Sequence, residues 1–349
     1  MNELISNKLR WIKYFLTVGM VMYHARWINY YNIEYSNVID RKALSFYFRF
    51  AEHIGTVCMT FFFFVSAFWF YKGLNEQRDV LVKWKKRMRS LLVPFMLWTV
   101  ILGAYKVYNS EIVLSTDKIF YYIFESPVAG PLWYILGLLI LQCFAPLFIF
   151  FKKNKKITTI LFLTLISYIL LRDFNIISNL LSFEDWWWYN NLIYYSPAYL
   201  IGAYIGLYYP DMLLEREYNN KSHTIVGVFL IAISAGLWYY YYDYRFLIVY
   251  ASIELVGLWF VLKPHWFKKT IPSFISCEFY MYALHNPILV PKTRVFLTNL
   301  TEHLTLSGIE VLFFKIVQVL MIFVICCLVR FAICKFLPKA VDRHLTGGR

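Results

Sequence analysis

Lys13 and His24 are the first two side chains in the sequence that could work together in a reaction. A histidine inside a mostly apolar helix is costly to keep there and usually faces an interior cavity. Its imidazole titrates close enough to neutrality to take or give a proton. Two readings of His24 are open: a hydrogen-bonded packing residue, or a general base that deprotonates an attacking hydroxyl. Lys13 stands eleven residues earlier, about 16 Å away at the helical rise, so the two cannot touch. They can mark two ends of one buried path, with a cation near one membrane face and a base nearer the other.

Further candidates are scattered along the chain. Tyr282 and His285 are three residues apart and share a helix face; a structural bond near a proline break and a substrate contact are both open to them. Glu254, between Ile253 and Leu255, either binds an acceptor hydroxyl or pairs with a cation on another helix. Trp133 is an interface anchor or a substrate platform. The Trp186-Trp187-Trp188 run, flanked by Glu184 and Asp185, could stack on sugars or form an aromatic belt. Arg172 and Arg245 read as outer-loop charges. Arg87 and Arg89 lie in an amphipathic segment at about 75–90, whose apolar stripe is Leu81, Trp84, Met88 and Leu92. Such a helix lies along a membrane surface. Its cations either anchor it to lipid headgroups or hold the phosphates of a cytosolic polyanion.

The elements that must position these residues are membrane helices. Of 349 residues, 60% are hydrophobic, 21% aromatic and only 16% charged, against about 25% charged in soluble domains. Disorder is excluded by that apolar content. A net charge of +14 does not indicate a nucleic-acid partner, because the basic residues form short clusters between apolar stretches. Windows of about twenty apolar residues predict some ten spans: 9–29, 54–71, 91–109, 131–151, 157–171, 190–209, 223–241, 245–262, 272–291 and 309–336. The first has a short apolar core and is the weakest. Pro287 and Pro291 should kink or break the ninth. No internal repeat, cleavable signal peptide or soluble domain is visible, so residues 1–349 read as one membrane domain.

Lysine and arginine set the orientation. With the N-terminus in the cytoplasm, the inner loops collect Lys72 to Arg89, Lys152 to Lys156, and Lys263 to Lys269, together with the tail residues Lys335 to Arg349. The outer loops keep scattered charges such as Arg41, Lys106 and Lys118. Both termini are therefore expected inside. The six cysteines have no metal-type spacing and are expected to be reduced packing residues.

Several segments taken in order resemble the acyltransferase-3 family of integral membrane acyltransferases. A basic residue, ten intervening residues and a histidine (Lys13 to His24) resembles its opening motif. Phe61-Phe62-Phe63-Phe64-Val65-Ser66-Ala67-Phe68 is similar to its aromatic segment ending in Ser-Gly-aromatic, with Ala67 in place of glycine. Lys86 to Pro94 resembles its basic pair and proline, and Gly130-Pro131-Leu132-Trp133-Tyr134-Ile135 the start of a middle helix. Tyr199 to Gly206 is similar to its aromatic–glycine–x₃–glycine helix, and Tyr282 to Pro287 to its tyrosine–x₂–histidine–x–proline. Lys13 stands where many members carry arginine, and lysine cannot make a bidentate fork.

The resemblance implies transfer of an acyl group, most often acetyl from acetyl-CoA or another acyl-CoA, to a sugar hydroxyl of a surface polysaccharide or lipid-linked glycan. His24 and Lys13 would then be catalytic, Arg87, Arg89 and Ser66 would bind the donor, and Glu254, Trp133, Tyr282 and His285 would meet the acceptor. No metal is expected, and the setting is the lipid bilayer of a plasma (bacterial inner) membrane. The competing class is a transporter or flippase, which proline-broken helices and buried charges also suit.

Overall fold

A computed structural model describes residues 3–34, 38–113, 115–173, 187–214 and 220–348. In chain order the helices are α1 (Glu3–His24), α2 (Val38–Tyr71), α3 (Gln77–Arg87), α4 (Val93–Tyr108), α5 (Trp133–Gln142), α6 (Ala145–Phe151), α7 (Lys155–Asp173), α8 (Trp187–Tyr208) and the short α9 (Asp211–Leu214). They continue as α10 (Lys221–Tyr240), α11 (Leu247–Val261), α12 (Glu278–Leu284), α13 (Val290–Leu300), α14 (Gly308–Phe336) and α15 (Lys339–Thr346). The described residues form no strand, only one isolated bridge between Ile33 and Leu306. Among them, five helical stretches are long and apolar enough to cross a membrane: Val38–Tyr71, Gln77–Tyr108, Gly130–Phe151, Lys221–Tyr240 and Gly308–Phe336. The protein is an all-helical, multi-pass membrane protein.

Several spans differ from their sequence windows, each for a physical reason. α2 begins at Val38 rather than near residue 54. Its first turns are amphipathic: Leu44, Tyr47 and Ala51 turn inward while Arg41 and Lys42 stay exposed, so a hydropathy window misses them. At 34 residues the helix is about 50 Å long, well beyond a hydrocarbon core of about 30 Å. The 131–151 window divides into α5 and α6 at Cys143-Phe144. The 272–291 window is displaced: the helical path starts at Glu278 and runs on to Leu300. It carries Arg294, whose guanidinium lies 3.9 Å over the Tyr30 ring.

Proline shapes the bundle in a repeated way. Three π-helical turns occur among the described residues, at Met88–Leu92, Tyr121–Glu125 and His285–Leu289, and each is followed two residues later by a proline: Pro94, Pro127 and Pro291. A proline ring clashes with the carbonyl four residues back. In all three places the residue before the proline (Val93, Ser126, Val290) donates its N–H to the carbonyl five residues back, on Met88, Tyr121 and His285. The wider turn makes room for the ring.

Glycine sets the closest helix approach. A Cβ at Gly202 would lie 2.2 Å from the Phe64 carbonyl oxygen, and one at Gly206 2.7 Å from that of Phe68. The Gly-x₃-Gly stripe of α8 therefore seats its backbone directly on α2.

Loop contacts sort the chain into two ends. At one end Lys152 donates to the Leu74 carbonyl and, at 2.9 Å, to Asn75 Oδ1, while Trp11 donates to the Lys269 carbonyl. Buried Lys8 reaches the Trp259 carbonyl at 2.7 Å and sits 3.6 Å over that indole, closing the carbonyl end of α11. At the other end Leu306 bonds Asn32, Tyr242 bonds Glu52, and Arg49 bonds the Tyr239 carbonyl. α15 folds back at the first end: Trp98 Nε1 donates to the Leu345 carbonyl at 3.0 Å and Tyr280 to Asp342 at 2.7 Å.

α3 and the π turn after it direct part of the apolar stripe, expected to lie along the membrane surface, away from the bundle. Leu81 and Met88 are exposed, and the inward face is Val80, Lys83, Trp84, Arg87 and Leu91. Lys83 is drawn in because its ammonium donates to the carbonyls of Trp69 (3.1 Å) and Lys72 (2.7 Å) at the end of α2. Trp84 Nε1 donates to the Gln142 carbonyl. Among the cysteines, Cys58, Cys277 and Cys326 are buried, whereas Cys143 and Cys334 are exposed rather than packed.

Candidate active site

α1 runs through the bundle against α2, α12 and α14. Arg10, Thr17 and His24 recur at intervals of seven, two helical turns each, with Lys13 three residues beyond Arg10 on a neighbouring row. A cavity of about 390 Å³ follows this helix and is lined by Arg10, Lys13 and Thr17. α2 contributes Phe61, Phe62, Val65, Ser66 and Trp69, α3 contributes Arg87, α5 contributes Tyr134, and α12 contributes Glu278 and Tyr282. Four residues singled out from sequence, Lys13, Ser66, Arg87 and Tyr282, thus share one chamber.

Hydrogen bonds hold its polar wall. Tyr134 spends its single phenolic proton on the Phe62 carbonyl at 2.9 Å. Ser66 must therefore donate to Tyr134 across their 2.6 Å contact. Arg87 reaches the Ser66 carbonyl at 3.5 Å. Tyr282 donates to the Pro131 carbonyl, so its ring is pinned as a wall of the chamber.

Beyond Tyr282 the aromatic wall continues into two histidines. The Tyr282 and His285 ring centroids are 6.3 Å apart, and those of His285 and His24 4.9 Å. His285 is fully buried. Its Nδ1 lies 2.6 Å from the Met281 carbonyl oxygen, and a carbonyl only accepts, so Nδ1 carries the hydrogen. In the neutral ring Nε2 is then an acceptor, and among the described residues it has no partner. His285 opens the π turn before Pro291, and such turns recur at functional sites.

The other candidates lie apart. Arg89 is exposed and outside the chamber, since two residues on from Arg87 is most of the way to the opposite face. Glu254 lies 2.5 Å from His53 Nε2 of α2, the interhelical pairing with a basic side chain that its mid-span position suggested. Trp133 is buried, its ring 6.1 Å from that of Phe63, and does not line the chamber. Glu184, Asp185 and Trp186 lie outside the described residues, as do the side chains of Arg172 and Trp187. Arg245 pairs with Asp243 at the far end.

Residues 6–335 match the family described as an acyltransferase domain, acyltransferase-3. The chain belongs to that family. Among curated relatives, probable poly-beta-1,6-N-acetyl-D-glucosamine export proteins of Staphylococcus aureus strains MSSA476, MRSA252 and MW2 are each 26% identical over 295 residues, covering 77% of this chain and 79% of theirs. No solved structure matches this chain. Family membership supports an acyltransferase embedded in a membrane and suggests an acyl donor. Among the described residues no cluster of three histidine, cysteine or acidic side chains could hold a metal.

Arg10 and Glu278 are chamber residues that motif and spacing did not nominate, and Tyr134 stood in the Gly130–Ile135 motif without a role. The seven-residue spacing from Arg10 through Thr17 to His24 could have revealed the first. Nothing local distinguishes Glu278, because its role depends on how α12 docks.

Proposed function

We propose that this acyltransferase moves an acetyl group from acetyl-CoA, or a close acyl-CoA, to a sugar hydroxyl of a surface polysaccharide or lipid-linked glycan. The observation that carries this reading is the row of groups along α1: a chamber lined by Lys13 and Arg87 and, behind its Tyr282 wall, the His285–His24 pair. The enzyme sits in a plasma (bacterial inner) membrane with ten spans and both termini in the cytoplasm. The donor's thioester arm enters the chamber from the cytoplasmic end. His24 takes the proton of the acceptor hydroxyl as its oxygen bonds to the thioester carbon. The carbon–sulfur bond then breaks, and the imidazolium returns the proton to the departing thiolate. Lys13 and Arg87 hold the donor. His285, its tautomer set by Met281, offers its Nε2 lone pair beside the His24 ring.

Export of a glycan without new chemistry is the second reading, and the name of the staphylococcal relatives favours it. Membranes containing the protein, given labelled acetyl-CoA, separate the two. An alkali-labile label on glycan, abolished by His24→Gln, is the expected result. Glycan that crosses the membrane with no new ester would establish export instead.

A further inference from the structure

A second cavity, of about 440 Å³, lies beside the chamber and shares Arg10, Lys13, Glu278 and Phe279 with it. Its further wall holds Arg330 of α14, and its floor is the end of the chain at Thr346 and Gly348. We propose that this vestibule is the seat of a phosphate-bearing headgroup, gripped by Arg10 and Lys13 from one side and Arg330 from the other. This rests on the acyl-CoA reading: the headgroup is the nucleotide end of the donor, and the chamber takes its uncharged arm.

Three observations carry the assignment. Three cations face one carboxylate, Glu278, around this space, so it carries a net positive charge that suits a polyanion. The cations come from two different helices, α1 and α14, and so flank the opening rather than forming one solvated stripe. Arg330 is already oriented, because one of its N–H groups donates to the Ser273 carbonyl; a guanidinium has five N–H donors, and the rest suit the fork geometry that phosphate oxygens accept. The two compartments then match a ligand that is charged at one end and neutral along its arm. Arg10 and Arg330 thereby become donor-binding residues, in place of Arg89, which lines neither cavity.

The α15 tail completes the floor by a close approach. A Cβ at Gly347 would lie 2.2 Å from the Ser90 carbonyl oxygen, and Gly347 and Gly348 both have positive φ, 69° and 75°. Only glycine takes that path freely, and it brings the last residues in under the vestibule.

The test compares two donors in proteoliposomes: acetyl-CoA, and acetyl-pantetheine, which has the same thioester arm but no nucleotide or phosphate. Arg10→Gln and Arg330→Gln should each raise the KM for acetyl-CoA about ten- to a hundredfold, and the double variant further. For Arg330→Gln, which lines the vestibule and not the chamber, the KM and kcat for acetyl-pantetheine should stay at the unsubstituted value, which also reports correct folding. Arg10→Lys should recover part of the loss. An equal rise in KM for both donors, or none for either, overturns the proposal. A penalty seen only in vesicles containing anionic lipid, and absent in phosphatidylcholine alone, would assign the vestibule to a lipid headgroup and also overturn it. Failure of the unsubstituted protein with both donors would bring down the acyl-CoA reading itself and this inference with it.

Discussion

A neutral imidazole beside a second, tautomer-locked imidazole is a suitable base for a sugar hydroxyl, which is a poor nucleophile until its proton has somewhere to go. Loss of a positioned base typically lowers the rate about 10²–10⁴-fold. His24→Gln keeps bulk and hydrogen bonding but cannot take the proton, so acyl transfer should fall by that factor while the protein still inserts; robust ester formation by a well-expressed variant would return His24 to a packing role. Lys13, about 16 Å away along the same helix, should respond to charge rather than basicity: Lys13→Arg retains activity and Lys13→Ala loses it, read as acetyl-CoA turnover in membranes. Residue type and motif order were enough to nominate Lys13, Ser66, Arg87 and Tyr282, which share a chamber. They were not enough for Arg89 or Glu254, whose directions depend on helix phase and on which helix docks opposite.

The proline-coupled π turns are the local feature that the sequence half reveals. Pro287 and Pro291 signal a break, and the turn forms at His285–Leu289. The matching turn before Pro94 has the same cause, yet hydropathy alone treats that stretch as an uninterrupted helix. Each π turn inserts one residue, which rotates the helix before it by about 100° relative to the helix after it. Pro291→Ala, by letting the turn relax to α-helix, should swing His285 away from His24 and lower kcat with little change in donor KM; unchanged kcat would show that the π turn does not set the pair. Close helix packing is tested separately. Gly202→Ala pushes a methyl into the Phe64 carbonyl, 2.2 Å away, and overpacking of this kind costs about 1–3 kcal/mol. Gly236→Ala, with nothing within 4 Å of the added methyl, should be neutral or stabilising. Thermal melts in detergent that fail to separate the two variants would contradict the backbone contact between α2 and α8.

At the scale of the whole molecule, composition alone excluded a soluble fold, because 16% charge cannot clothe a 349-residue chain in water. The charge clusters do more: they assign sides. Loops that the lysine and arginine bias places in the cytoplasm touch one another in the structure, as Lys152 does Leu74, Trp11 does Lys269 and Tyr280 does Asp342. Loops assigned outside do the same, as Asn32 does Leu306 and Arg49 does Tyr239. These contacts show which segments share an end of the molecule; the assignment of one end to the cytoplasm rests on the lysine and arginine bias. The amphipathic start of α2 was hidden because its polar face offsets its apolar one in any window average, though Leu44, Tyr47 and Ala51 keep helical spacing. Its excess length of roughly 20 Å over the hydrocarbon core should carry Arg41 clear of the outer surface. In a variant lacking native cysteines, Lys153→Cys should therefore react with an impermeant maleimide only after the cytoplasmic face is opened. Arg41→Cys and Thr305→Cys should react in intact cells. Labelling of all three from one side would remove an odd number of spans between them and place His24 and the basic vestibule at the wrong faces for transfer across the bilayer.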